Sequence, residues 1–431
     1  MKRLLAMLCV ALALVGCGSN KKADFDGVKI AVPHLQASYD HTKGFDGWTT
    51  MRIGVGQTVV RFDNAGRVIP WLASYEGNVF TVRDIKFSDG SKVTAKDICA
   101  SLDNSCAKSA RAKAVMKNSS WRVLNDQQFE YKGEVSILSD PLFCISKNGL
   151  YTGGKVLSYS DRKAEVERNG KKYQYLAVSD NVARGYAIQK GEVDIAYDVD
   201  RHFYKGREVQ ELGSARTIMG RLNMAPGRAL NDPKLRQALA EAINLKDMEK
   251  PLQGYVDCNP NYSRFTKSNR AYKPTQVEPV TLELLYYDSR PEFRTIAEAT
   301  QIQAKEVGIN IKLVPMPLNA FRRAELSGAF DIVLSSTNNV QSGSVENYYR
   351  MYFDSRSVEN TTKYSNPAFD NAPSLQAMQD VLDQDYAVIV YGNPIHNRVS
   401  KEKLVALNPL DIYYDVDKAG EQTNLLANAN K

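Results

Sequence analysis

The 431 residues carry 56 Lys and Arg against 49 Asp and Glu, a formal charge of +7, and 43% of them are hydrophobic. This composition excludes collagen-like, coiled-coil and disordered chains. A single hydrophobic core stops growing at about 250–300 residues, so the length predicts about two domains. No run of five basic residues occurs, and we therefore expect no nucleic-acid partner.

The N-terminus has the features of an export signal. Lys2 and Arg3 precede an uncharged, mainly apolar run, residues 4–16. The run is shorter than the roughly 20 residues that span a bilayer and has the length of a signal-peptide core. We therefore expect residues 1–16 to be a signal peptide and the protein to be exported.

Cys17 directly follows this run, and Leu14-Val15-Gly16-Cys17 resembles a bacterial lipobox. In a lipobox the cysteine becomes the lipidated first residue of the mature protein. The resemblance predicts lipidation of Cys17, a flexible tether over residues 17–23, and a membrane anchor that faces the periplasm or the cell exterior. The alternative is a plain secretory signal with an incidental cysteine.

The remaining cysteines are Cys99, Cys106, Cys144 and Cys258. In an oxidising compartment they could form a disulfide, and the alternative is that they are buried thiols. No C-x-x-C or H-E-x-x-H motif occurs in the chain, so we expect no preformed zinc site and no bound cofactor.

The chain then alternates predicted strands and helices. Alternating apolar residues over 79–87 predict a short hairpin, followed by a turn at Asp89-Gly90 and a helix capped by Thr94. Three further stretches predict helices, two of them closed by a glycine and followed by a strand: 179–197, the helix after Asp232-Pro233, and 295–314. Repeated units of this kind predict an α/β fold.

Several segments, in order over about residues 55–405, resemble the family 5 solute-binding proteins, the peptide-, opine- and nickel-binding components of ABC importers. The most specific is Phe80-Thr81-Val82-Arg83 with Lys86-Phe87-Ser88-Asp89-Gly90 and Thr94-Ala95-Lys96-Asp97. Others are 66–73, Gly191-Glu192-Val193-Asp194-Ile195, the helix at Leu235, and Gly328-Ala329-Phe330-Asp331-Ile332.

The resemblance implies a bilobate α/β clamshell with a two-segment hinge. Lobe I would comprise residues 24–222 and 395–431, and lobe II residues 223–394, with crossings near 221–225 and 392–397. A ligand held between such lobes stabilises the closed state through the contacts that only this state makes. The implied protein is a monomer that delivers a small solute to ABC permease subunits.

The resemblance also points to ligand-binding residues. The loop at 47–52 would line the cleft, where Trp48 offers a stacking face, Arg52 a fork for a carboxylate, and Thr49 lies between them. Further candidates are Tyr151 and Thr152, Asn223 at the first crossing, Asn338 and Asn339 after a strand, and His396 at the return crossing. His396 is also the candidate metal ligand. The alternatives are a core Trp, a surface Arg, an Asn223 that only caps a turn, and an exposed or hydrogen-bonded His396.

The departures from the family leave the ligand open between a metal chelate, nickel included, and a short peptide. Peptide binders place a Trp and an Asp after the Phe-Asp-Ile strand, whereas residues 335–344 here contain neither. A sensor or chaperone module is an alternative function. An exported hydrolase is a weaker one, because no G-x-S-x-G motif occurs and no histidine has an obvious partner. We therefore expect no enzymatic activity.

Overall fold

The computed structural model describes residues 25–63, 67–263, 265–339, 344–407 and 416. The predicted signal peptide, Cys17 and the tether lie outside these residues. Among the described residues, no helix is long and apolar enough to cross a membrane. The four described cysteines are free thiols, of which Cys99 and Cys144 are buried and Cys106 and Cys258 are half-buried.

The sheet of lobe I is mixed. Its strands are β1 (Val28–Val32), β10 (Lys155–Tyr159), β11 (Lys163–Arg168), β12 (Lys171–Ala177), β13 (Ile195–Tyr197), β14 (Glu208–Gly213) and the second half of β20 (Val388–Ser400). Alternate residues of β1 enter the two cores on either face of this sheet: Ile30 and Val32 pack with α1 (Gly47–Arg52), and Ala31 packs with α4 (Asn181–Lys190).

A peripheral part of lobe I has its own core. It contains two small sheets and two helices: β2 (Val60–Phe62), β3 (Val68–Pro70), β4 (Ala73–Glu76), β5 (Val79–Val82), β6 (Ser120–Val123), β7 (Gln128–Lys132), α2 (Ala95–Lys108) and α3 (Ala110–Val115). The hairpin predicted over 79–87 was wrong. β5 pairs with β4 and β7 instead, since these strands bury its apolar face. Short strands β8 (Ser146–Lys147) and β9 (Leu150–Tyr151) form a separate pair.

Lobe II contains the largest core. Its strands are β15 (Arg216–Leu222), β16 (Val256–Cys258), β17 (Val280–Tyr287), β18 (Ile309–Met316), β19 (Ile332–Asn338) and the first half of β20. Its helices are α5 (Pro233–Glu241), α6 (Leu245–Glu249), α7 (Pro291–Glu306), α8 (Leu318–Ser327), α9 (Val345–Phe353), α10 (Pro367–Asp370) and α11 (Leu375–Gln384). Short 3-10 helices occur in lobe II at Ala229–Asn231, and in lobe I at Val135–Ser139, Pro141–Phe143 and Arg201–Phe203.

The predicted helix signals are confirmed where they depend on local chemistry. Thr94 and Asp97 form a reciprocal capping box at α2. Asp232 caps α5, with Pro233 at its first position. Gly191 ends α4 at φ 76°, a left-handed conformation that favours glycine. The helix predicted at 295 begins four residues earlier, at Pro291.

Two adjacent segments connect the lobes. β14 pairs with β20 from Gly213↔Ile395 onward, whereas β15 pairs with β19 over all seven of its residues and therefore belongs to lobe II. From this pairing we propose that the first crossing lies at residues 214–215 and the return crossing at 393–394, where the sequence predicted crossings near 221–225 and 392–397. The backbone NH of Ser214 donates to the carbonyl of Pro394 at 2.9 Å, so the crossing segments are hydrogen-bonded to each other. We propose lobe boundaries of 25–213 with 395–407, and 216–393.

Candidate functional site: the cleft between the lobes

Trp48, on α1 of lobe I, lies close to Arg216 of lobe II. It is 5% exposed and belongs to the lobe I core. The guanidinium carbon of Arg52, one helical turn away, lies 5.6 Å from the ring centroid. That of Arg216, on lobe II, lies 5.7 Å from the same ring. Trp48 is therefore both a core residue and an aromatic ring that lies near one cation from each lobe.

Arg216 begins β15 directly after the first crossing. Its Nε donates to Ser336 Oγ at 3.0 Å and its Nη2 to the Ser336 carbonyl at 2.7 Å, which fixes the guanidinium against β19. In the ladder Arg216 is opposite Asn338. The residue after Asn338 is also held to β15, because Asn339 Nδ2 donates to Thr217 Oγ1 at 2.9 Å. The predicted residues Trp48, Arg52 and Asn338 are thus brought together by Arg216, which sequence reasoning missed.

Phe45 makes a second contact between the lobes. The guanidinium carbons of Arg111, on α3, and of Arg322, on α8 of lobe II, each lie 4.4 Å from its ring centroid. Behind Arg322, the carboxylate of Glu325 pairs with both Arg322 and the buried Arg221. Burial opposes the charge of Glu325, but the two arginines hold its pKa below the usual value.

A buried ion-pair cluster connects the lobes beside the hinge. Arg290 of lobe II donates from Nη1 to Asp198 Oδ2 at 2.9 Å, and His396 Nδ1 lies 3.0 Å from Asp198 Oδ1. Burial raises the pKa of Asp198, but His396 and Arg290, with Arg184 beneath, outweigh this effect and hold the pKa well below its usual range. Burial raises the pKa of the adjacent Glu292. We call Asp198, Arg290 and His396 the hinge cluster.

Among the other predicted residues, Tyr151 and Thr49 make hydrogen bonds within lobe I. Tyr151 is buried within lobe I, where its hydroxyl donates to the carbonyl of Tyr39 at 3.0 Å and contacts His41. It borders a cavity of about 560 Å³ lined by lobe I residues, and Thr152 follows it. Thr49 Oγ1 accepts from the backbone NH of Gln36 at 3.0 Å.

Asn223 does not lie at the crossing, because β15 separates the two. Its Nδ2 donates to the carbonyls of Gly328 and Phe330 at 3.1 and 2.8 Å, and its Oδ1 accepts from the backbone NH of Ala225 at 3.1 Å. These bonds give Asn223 a structural role in lobe II. His396 pairs with Leu212 of β14, just after the return crossing that we propose, and its Nδ1 is engaged in the hinge cluster. Only its Nε2 could therefore ligate a metal.

The described residues contain no group of three or more His, Cys, Asp or Glu side chains that could hold a metal ion. The cationic groups near Trp48 are instead the side chains of Arg52 and Arg216. Arginine side chains beside an aromatic face and hydroxyl and amide groups suit a planar or chelating solute that carries carboxylates.

Residues 155–360 match the family described as bacterial extracellular solute-binding proteins, family 5 Middle. Among curated proteins, the nickel-binding protein NikA of Staphylococcus aureus is 22% identical over 432 residues, covering 86% of each chain.

Two solved structures with the same fold differ in what they bind. The structure of Staphylococcus aureus NikA with Ni(L-His)2 has a TM-score of 0.79 at 17% identity, covering 91% of this chain and 99% of that one. Haemophilus influenzae OppA with the peptide RPPGFSPFR has a TM-score of 0.76 at 16% identity, covering 90% and 97%. These similarities confirm the predicted bilobate α/β fold.

Proposed function

We propose that this chain, a member of the bacterial extracellular solute-binding proteins of family 5, is the solute-binding component of an ABC importer. The family match, the two-lobed fold and the paired crossing segments support this role. The solute would bind between the lobes, and the closed form would dock on the permease subunits. This function is capture and delivery, without turnover of the solute.

The solute we propose is a small metal chelate that carries carboxylates, such as nickel held by amino acids. The observation that carries this proposal is that the guanidinium carbons of Arg52 and Arg216 lie 5.6 and 5.7 Å from the ring centroid of Trp48. The arginines would hold the carboxylates of the chelator, and the indole would cover its face. The chelator would supply most of the metal ligands.

A free peptide matches the side chains of this part of the cleft less well. Its ammonium group needs a carboxylate, and the end of β19 offers Ser336, Thr337, Asn338 and Asn339. Glu325, the nearby acid on α8, already pairs with two arginines. The two structural relatives are complexes with Ni(L-His)2 and with a peptide, so the ligand must be tested directly.

Export and anchoring are part of the proposal. The match to an extracellular family supports export, and the lipobox-like sequence supports lipidation of Cys17. The protein would then remain near its permease as a lipid-anchored monomer at the periplasmic or outer face of a membrane.

A thermal-shift comparison tests the ligand. Ni(L-His)2 should raise the melting temperature, whereas nickel alone, L-histidine alone and a set of short peptides should not. A ligand at one hundred times its Kd stabilises the folded state by about 2.7 kcal/mol. Arg216→Gln should weaken binding of the chelate at least tenfold, because it removes a charge-assisted contact.

The matched control is Arg294→Gln. Arg294 is also on lobe II, but its side chain is 76% exposed, and within the described residues its ion pair is with Glu298 on its own helix. A shift produced by peptides and not by any chelate, or equal effects of the two variants, would contradict the proposed ligand.

A further inference from the structure

A cavity of about 250 Å³ lies within lobe II. The end of α5 and the start of α6 form one side of it, and residues 270–272 with Ile389 and Val390 of β20 form the other. All of its described lining residues belong to lobe II, so this lobe II cavity is separate from the space between the lobes. It is smaller than the range of about 300–1,000 Å³ for drug-sized ligands and therefore suits a shorter molecule.

Arg270 is the buried cation of the lobe II cavity. Its side chain is 8% exposed, and its Nη2 lies 3.7 Å from Asp383 Oδ1, beyond hydrogen-bonding distance. Nε and Nη2 are enclosed and have no hydrogen-bond acceptor within the described residues. Since these two nitrogens are enclosed, Nη1 is the donor through which Arg270 lines the cavity.

Asp383 compensates the charge of Arg270 only in part, because other donors hold its carboxylate. Oδ2 accepts from the backbone NH of Asn269 and Oδ1 from Gln379 Nε2, each at 3.1 Å. Burial lowers the pKa of Arg270, and Asp383 opposes this effect without overcoming it. An anion in the cavity would add the missing countercharge.

The pKa of another buried arginine of lobe II shows the difference. Burial also opposes the charge of Arg221, but its ion pair with Glu325 outweighs this effect and raises the pKa of Arg221. The two arginines therefore differ in how well the chain itself neutralises them, and only Arg270 of the pair lines a cavity with room for an external anion.

The rest of the lining favours an anion with a short apolar chain. None of the described lining residues is acidic, and the exposed Lys246 contributes a second cation. Ile243, Leu245 and Val390 contribute apolar surface. A few polar anchors in a mainly apolar wall are the usual composition of a small-molecule site.

We propose that the lobe II cavity binds a short aliphatic monocarboxylate. Its carboxylate accepts from Arg270 Nη1 and pairs with Lys246, and its chain lies against Ile243 and Val390. Because every contact is within lobe II, the occupant stabilises this lobe equally in the open and closed forms and does not compete with a solute in the cleft. The proposal does not depend on the function proposed above.

Saturation-transfer NMR with butyrate tests the proposal on the purified protein. Butyrate should bind saturably, whereas butyramide, which keeps the chain but lacks the charge, should bind at least tenfold more weakly. Failure of butyrate and propionate to bind overturns the proposal, as does equal binding of butyramide. Displacement of butyrate by a lower concentration of inorganic phosphate would assign the cavity to phosphate and also overturn it.

Two variants locate the site. Ala271 lines the cavity and is exposed, so Ala271→Phe places a ring there without entering the packed core and should abolish butyrate binding. It should leave the Ni(L-His)2 shift intact. Arg270→Gln should also abolish butyrate binding, whereas the matched Arg294→Gln and the cleft variant Arg216→Gln should not change it. Butyrate binding that survives Ala271→Phe, or that is lost in Arg216→Gln, would assign it to another site and refute the lobe II cavity.

Discussion

Replacement of Asp198 by Asn should open the lobes. The substitution keeps the shape of the side chain but removes its charge, which leaves Arg290 without its carboxylate in the closed state. Asp198 and Arg290 are both largely buried, with side-chain exposures of 13% and 5%, and their atoms are 2.9 Å apart. The pair spans the two lobes, so the protein can rehydrate Arg290 by opening.

The magnitude follows from the burial of the pair. Loss of one partner of a buried ion pair costs about 3–5 kcal/mol when the other charge stays buried. Even the lower figure, about 3 kcal/mol, shifts the equilibrium between closed and open forms more than a hundredfold, since about 1.4 kcal/mol is a factor of ten. The hinge cluster therefore has enough free energy to decide which form of the ligand-free protein predominates.

The pH dependence has a definite sign. The pKa of Asp198 is lower in the closed form than the ordinary value of about 3.9, so its contribution is fully present above that value. It is lost only as the pH falls through the depressed pKa. Titration of Asp198 should therefore not open the wild-type protein between about pH 5 and 8, while the Asn variant should be open throughout this range.

Small-angle scattering of the ligand-free protein measures the effect as a larger radius of gyration for Asp198→Asn than for the wild type. The apparent affinity for a cleft ligand should fall in parallel. The control is Glu130→Gln, which breaks an exposed ion pair with Arg122 at 2.7 Å inside lobe I. An unchanged radius for Asp198→Asn, or the same increase for Glu130→Gln, would refute the assignment of the hinge cluster as the closing contact.

Three predictions concern stability and reactivity. Glu325→Gln should lower the free energy of unfolding by about 3–5 kcal/mol in urea titration, because it leaves two arginines facing each other; the exposed Glu298→Gln should change it by less than about 0.5 kcal/mol. Gly308→Ala should cost about 1–3 kcal/mol by the same assay, since Gly308 has φ 93° and an added Cβ would lie 2.5 Å from the carbonyl oxygen of Val277. Cys144, fully buried with a raised thiol pKa, should react with a thiol reagent only after unfolding.

The sequence patterns that predicted correctly are those set by local chemistry. The Thr94 capping box, the Asp232-Pro233 helix start and the left-handed Gly191 each depend on residues within one turn of each other. The predicted hairpin at 79–87 failed because strand partners are chosen by burial of distant segments. β5 pairs with β7, nearly fifty residues later, and the local spacing of apolar residues does not predict this pairing.

Local sequence patterns also predict only part of the cleft. Trp48, Arg52 and Asn338 could be proposed from the family pattern, but Arg216 could not, because its importance comes from the point at which β15 leaves the hinge. Arg290 precedes a helix beginning with proline and resembles an ordinary surface residue in the sequence. Only the approach of the lobes places it against Asp198 and His396. Asn223, which the pattern assigned to the cleft, is instead held by three backbone groups of lobe II.

We propose that the cleft holds a metal only as a carboxylate-bearing chelate. Equilibrium dialysis of the protein against nickel, with and without L-histidine, tests this most directly. We predict that nickel is retained in stoichiometric amount when L-histidine is present, is not retained without it, and is lost in both conditions from Arg216→Gln. Equal retention of nickel with and without L-histidine, or no retention in either case while a short peptide binds stoichiometrically, would contradict the account.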